Sequence, residues 1–193
     1  MVRLYKHDRN GLLYMECWKD KDFAVVHFGH VGQTGKKRSY CTLEGRYSLF
    51  EEQFEEENTR NGYYPICEKD MFWVVASFEV VGIKDMENLL DLKDDLEFTL
   101  NEMLGWHGVG YLDGFEIAPT QPGKVTATLD FFALVVDAEI AVRLLRESQS
   151  IDSRVTLREI KSRPVSGTGS VGQGDGSLSH EWDRGRFRVP RRK

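Results

Sequence analysis

Twice along this chain a hydrophobic period near two gives way to a period near 3.6, and that double switch restricts the fold to sheets covered by helices. In the first stretch, LLYMECW (12–18), FAVVHF (23–28) and KRSYCTL (37–43) alternate β-branched or aromatic residues with polar ones, separated by KDKD and a glycine-rich run. Short connections between such runs give an antiparallel meander. The period then lengthens in SLFEEQFEEENTRNG (48–62), where Phe50 and Phe54 share one helical face, Ser48 and Glu51 have capping-box spacing, and Gly62 stands where a C-cap is expected. Glu51, Glu52, Glu55, Glu56 and Glu57 surround that apolar stripe and read as its solvated side, not as an acid cluster for metal or catalysis.

After Pro65, which biases its neighbour toward extended structure, the pattern restarts. MFWVVASFEVVGI (71–83) reads as a buried strand, and Leu89, Leu92, Leu96, Leu100 and Met103 then recur at steps of three and four through an amphipathic helix over 85–104. HGVGYLDGFEI (107–117) and KVTATLDFFALVV (124–136) read as strands joined by the turn APTQPG. Asp137 is placed to cap a helix running through Leu145, and RVTLREIKS (154–162) closes as a strand. The order βαββαβ is the split-βαβ, ferredoxin-like arrangement. The expected fold class is therefore α+β: an N-terminal antiparallel sheet with one covering helix over residues 1–66, a ferredoxin-like domain over 67–163, and a flexible Gly/Ser-rich tail over 164–193, whose sparse apolar residues cannot offset its ordering entropy.

Charge is distributed unevenly along these segments. Residues 1–66 carry 10 basic and 10 acidic side chains, 67–162 carry 9 and 18, and 163–193 carry 7 and 3. The acidic middle repels phosphate, so nucleic-acid contacts are expected on the first segment or the tail, while a basic protein partner suits the middle. The longest apolar runs fall short of the roughly 18 residues that span a bilayer, and MVRLYKHDRNG lacks the apolar stretch of a secretory signal, so the expectation is a cytoplasmic protein with no membrane contact. Cys17, Cys41 and Cys67 are odd in number and widely spaced, as free thiols in a reducing compartment would be.

The run HFGHVGQTG (27–35), followed at once by KKR, is the most distinctive short stretch. It lacks the Ser or Thr after Gly-Lys that a Walker A loop needs, and it precedes a strand where a dinucleotide fingerprint precedes a helix. What remains is a hairpin whose glycines permit positive φ and close backbone approach, projecting His30, Gln33, Lys36, Lys37 and Arg38 near one end of the sheet. Phe28-Gly29-His30-Val31-Gly32-Gln33-Thr34-Gly35 resembles the signature of the WGR domain, a Trp-Gly-Arg strand end followed by an aliphatic residue, Gly, two variable residues and Gly. Thr59-Arg60-Asn61-Gly62-Tyr63 is similar to that family's helix end and Gly-Tyr, and the resemblance covers about residues 3–66. WGR domains occur in poly(ADP-ribose) polymerases, where they contact DNA breaks and neighbouring domains, and in bacterial proteins. The resemblance implies contact with DNA ends or nicks through the aromatic and basic residues of the signature. Phe28 stands for the Trp, losing the indole N–H; His30 stands for the Arg, losing a permanent charge; Asn58 stands where the family often has Lys. GYLDGFEI with DFFALVVDAEIAVRLL is similar to small bacterial ferredoxin-like domains, a likeness of fold that carries no chemistry.

No nucleophile elbow, HExxH helix or Cys-His motif occurs, and the strand positions of His27 and His30 put them on opposite sides of a sheet, so no catalytic residue, metal or cofactor is expected. Asp94 and Asp95 fall on the wet side of the long helix, and His107 with Tyr111, Asp113 and Glu116 reads as a polar hairpin edge. The expectation is a non-enzymatic bacterial adaptor that touches DNA through Phe28, His30, Gln33, Lys36, Lys37 and Arg38, with Arg186, Arg188, Arg191 and Arg192 of the tail as further phosphate contacts. The alternative is an immunity-type inhibitor whose acidic ferredoxin-like domain masks a basic protein surface.

Overall fold

The computed structural model describes residues 1–42, 46–83, 85–121, 124–148 and 152–166. Two antiparallel four-stranded sheets and three α-helices make up the described chain, an α+β fold. The first sheet runs in sequence order through β1 (Val2–Asp8), β2 (Gly11–Asp20), β3 (Phe23–His30) and β4 (Lys36–Cys41). The strand β1 was not foreseen, because VRLYKHD alternates Leu4 with Tyr5 and Lys6 too irregularly to show a single apolar face. Both Leu4 and Tyr5 are buried, on opposite sides of the sheet, and this two-sided burial hides the period.

On one side, Leu4, Cys17, Ala24 and Val26 pack with Phe54 of α1 (Tyr47–Arg60), and Phe28 and Phe50 border the cluster. The foreseen capping box is not formed: α1 starts two residues earlier, with Arg46 in place of Ser48 as N-cap and no side-chain cap. Glu51 instead accepts from the Tyr47 hydroxyl (3.0 Å) and pairs with the N-terminal amine (2.9 Å). The other end is as expected. Gly62, at φ +86°, donates its N–H to the Thr59 carbonyl while Tyr63 donates to Asn58, the paired bonds of a glycine C-terminal motif.

The second sheet has the order β6 (Gly110–Gln121), β7 (Lys124–Val135), β5 (Phe72–Val80), β8 (Val155–Pro164). With α2 (Met86–Trp106) after β5 and α3 (Ala138–Glu147) after β7, this is the split-βαβ topology. Asp85 caps α2 through Asn88 N–H (2.9 Å), and Asp137 caps α3 through Ile140 N–H (2.9 Å). Leu89, Leu92, Leu96, Leu100 and Leu104 are buried against Val74, Phe78, Leu129 and Phe131 on one face of the sheet. The strand β6 reaches Gln121, further into APTQPG than foreseen, because Pro119 and Gln121 still pair with β7.

The two sheets meet through the side of the first that α1 leaves open. Tyr5, Tyr14 and Val31 belong to the core of the second unit, beside Val109, Ala141 and Leu104.

Candidate nucleic-acid interface

The cross-strand register decides where each signature residue points. Phe28 faces Lys36 across β3 and β4, Val26 faces Arg38, and His27 faces Lys37. Directly opposed residues share a face, so the pleat divides the basic run: Lys36 and Arg38 lie on the α1 side with Phe28, and Lys37 lies on the other. The Arg38 guanidinium sits 5.4 Å from the centre of the half-buried Phe28 ring, and the Lys37 ammonium sits 5.4 Å from the centre of Trp106 at the end of α2. Lys36, Lys37, Arg38 and Gln33 are exposed and His30 is half-buried. The structure thus brings Phe28, Lys36 and Arg38 together and pairs Lys37 with a residue outside the sequence motif. The strand β4 is an edge, and charged side chains there also oppose pairing with a second sheet. Arg186, Arg188, Arg191 and Arg192 lie outside the described residues.

The glycines of HFGHVGQTG have a different task. The last carbonyls of a helix have no partner within it. Here Gly35 N–H donates to the Trp106 carbonyl (2.9 Å) and Gly32 N–H donates to that of His107 (2.8 Å), closing the C-terminal end of α2. Val31 is buried beside them. A Cβ on Gly32, already at φ +86°, would lie 2.8 Å from Ile140 of α3, and one on Gly35 would lie 1.9 Å from the Tyr14 hydroxyl. These N–H groups face a helix C-terminus, whose dipole is negative, so they are spent on carbonyls and offer no cradle to a phosphate. The tip of the hairpin is a pin between the two units.

Beneath the pin lies a polar network that sequence reasoning missed. Glu16 is 4% exposed and His27 1%, while Tyr14 is fully buried. Glu16 accepts from Arg3 Nε (2.7 Å) through Oε2 and from His27 Nδ1 (2.8 Å) through Oε1, and His27 Nε2 lies 3.0 Å from the Tyr14 hydroxyl. That hydroxyl also lies 3.2 Å from the Trp106 carbonyl. Gly35 N–H donates to the same carbonyl, so every polar member of the network has a partner. Burial opposes ionisation of Glu16, but the His27 hydrogen bond and the Arg3 charge outweigh it and hold the carboxyl below the usual glutamate range. Burial pushes Tyr5, on the same face, up to about 12. Carboxylate, imidazole and hydroxyl stand in the order of a hydrolytic relay, yet Tyr14 is fully buried, with its hydroxyl against the Trp106 carbonyl. The arrangement is a clamp. The available signal was parity: Arg3, Glu16 and His27 share the face of Tyr5 and Tyr14, as their register shows.

The remaining polar candidates do not converge. His107 is turned to the Met103 carbonyl (2.6 Å) and to Thr34 (3.4 Å), whereas Tyr111 lies under Arg3 at 5.8 Å. Burial, with Glu68 nearby, raises the pKa of Asp113. Asp94 and Asp95 are exposed, and Asp94 pairs with Lys93. Among the described residues no three His, Cys, Asp or Glu side chains are grouped to hold a metal ion, and no helix is long and apolar enough to cross a membrane. Cys17 is a buried free thiol, and Cys41 and Cys67 are exposed ones. No protein-family model, curated protein or solved structure matches the chain.

Proposed function

We propose that this chain is a non-enzymatic adaptor whose WGR-like first sheet contacts DNA ends or nicks along β4, and whose second unit engages a protein. The observation that carries the reading is the placement of a cation over an aromatic ring on each side of one exposed edge strand: Arg38 over Phe28 and Lys37 over Trp106. Such pairs combine phosphate attraction with a stacking face, the elements of sequence-tolerant contact with unpaired bases. DNA contact on this reading runs along the strand, because the glycine tip is committed to α2.

The test is fluorescence anisotropy with a duplex carrying a 5′-phosphorylated nick against an intact duplex, at two salt concentrations, with the full chain and with a chain ending at residue 166. Preference for the nick, retained without the tail, is expected. Phe28→Ala should weaken binding at every salt concentration, whereas Lys37→Ala should lower the salt slope by about 0.9, since one phosphate fewer is neutralised. Equal slopes for wild type and Lys37→Ala would remove Lys37 from the interface.

A second reading rests on α2. Leu90 and Phe98 are 43% and 68% exposed at a spacing of eight, with Asp94 between them and Asp91 and Asp95 alongside. An exposed apolar stripe rimmed by carboxylates suits a basic protein with a hydrophobic anchor. Recovery of a basic protein by wild type and its loss with Phe98→Ser, together with no DNA binding at low salt, would favour this reading over the first.

A further inference from the structure

We infer that the face of the second sheet opposite its helices holds a binding cleft for a small aminocarboxylate, a molecule with a protonated amine at one end and a carboxylate at the other. The inference is independent of any nucleic-acid contact. Ser77 of β5, Thr128 and Asp130 of β7, and Arg158, Glu159 and Lys161 of β8 line a cleft of about 460 Å³. That volume lies in the range of small-molecule sites.

On its β7 side, Asp130 Oδ1 is buried and has no hydrogen-bond partner among the described residues. A buried carboxylate oxygen left without a donor is costly, and natural structures rarely leave one so. Across the ladder Asp130 lies between Ser77 on β5 and Glu116 on β6. A carboxylate flanked by hydroxyls and a second carboxylate attracts a cation with several N–H donors, and an ammonium has three.

The rim supplies the opposite charge by a specific device. The register of β5 with β8 steps from Ser77↔Glu159 to Phe78↔Leu157, which leaves Arg158 out of the ladder. A bulge of this kind re-aims one side chain, and Arg158 lines the cleft. Its only ion pair among the described residues is to Glu79 at 3.8 Å, and it is 54% exposed, so its fork remains open to a carboxylate. Lys161, by contrast, is neutralised by Glu159 at 2.8 Å. Because β5 separates β7 from β8, Asp130 and the backbone of Arg158 stand about 10 Å apart, which calls for charges at the two ends of a short chain and not on one carbon.

The test is a ¹⁵N-resolved titration of the full chain with 4-aminobutyrate and 6-aminohexanoate, with butylamine and butyrate as single-charge controls. Saturable shifts confined to Ser77, Thr128, Asp130 and Arg158 are expected with an aminocarboxylate, at lower concentration than with either control. Asp130→Asn should weaken binding at least about tenfold, the loss of one charge-assisted bond. Ser77→Ala, which cannot disturb the core, should weaken it less, and Arg158→Gln should abolish the preference over butylamine. Unchanged resonances of Tyr14 and Val26 report that each variant is folded. Absence of saturable shifts with both aminocarboxylates, butylamine binding as tightly as either, or wild-type affinity in Asp130→Asn would each overturn the inference.

Discussion

Glu16 organises the buried polar network that reaches the second unit through the Tyr14 hydroxyl. It has no aqueous contact of consequence, so its charge is maintained by Arg3 and His27, which are held in turn by the sheet and by Tyr14. Removing one partner of such a buried set leaves an uncompensated charge, a loss of about 3–5 kcal/mol. The sign of its pH dependence follows from the depressed folded pKa. Above about 4.5, the ordinary glutamate value, the contribution is complete; as pH falls below it, the unfolded chain takes up the proton first, and stability is lost down to the folded value. Urea unfolding of wild type across this acidic window should therefore give midpoints that fall more steeply than those of Glu16→Gln, which has no such proton to bind. Parallel pH profiles would show that Glu16 gains nothing from its partners.

Among elements, the hairpin between β3 and β4 and the end of α2 are complementary in a way that substitutions at glycine can read. A methyl group on Gly35 would fall within 1.9 Å of the Tyr14 hydroxyl and 2.2 Å of His27 Nε2, both fixed in the clamp. Gly35→Ala is expected to cost about 3 kcal/mol, at the upper end of overpacking penalties. Gly105, one residue from the end of α2, has open space where its Cβ would be, so Gly105→Ala should stabilise by about 0.5–1 kcal/mol through helix propensity. Chemical denaturation of the two variants checks the contrast, and a similar cost for both would mean that the hairpin is not pinned as drawn. The element boundaries legible in sequence were those with a local cause, such as Asp137 at the start of α3 and Gly62 at the end of α1. Ser48 and Glu51 had the right spacing, but α1 already begins at Tyr47, so Ser48 lies inside the helix and Glu51 accepts from the Tyr47 hydroxyl instead.

At the scale of the molecule, the residues that a boundary near Pro65 would place in one domain contribute Tyr5, Tyr14 and Val31 to the core of the other. Burial across such a junction couples the two, and one cooperative transition is expected. Trp18 lies beside the clamp, Trp106 at the junction and Trp73 in β5, so tryptophan fluorescence and far-ultraviolet dichroism should give coincident urea curves. Two separated transitions would mean that the interface adds little to stability. The acidic α2 and the basic β4 also meet at this junction, with Lys37 over Trp106 and Trp106 Nε1 donating to Glu102 (2.8 Å). A partner that engages Lys37 on β4 thus lies beside both units.

The sequence by itself determined the α+β class, the split-βαβ order of the second sheet, the helix faces of Phe54 and Leu92, and the hairpin at residues 27–35, because each follows from local periodicity, capping or turn chemistry. Only the tertiary structure decided what the glycines were for. A period-two pattern says which side chains share a face but not what covers it, and the N–H groups of Gly32 and Gly35 look equally ready for a phosphate or a carbonyl until α2, some seventy residues later, arrives with its unpaired carbonyls. The division of Lys36, Lys37 and Arg38 between two sides was implicit in the pleat, yet the ring beneath Lys37 comes from another element, and only packing brings them together.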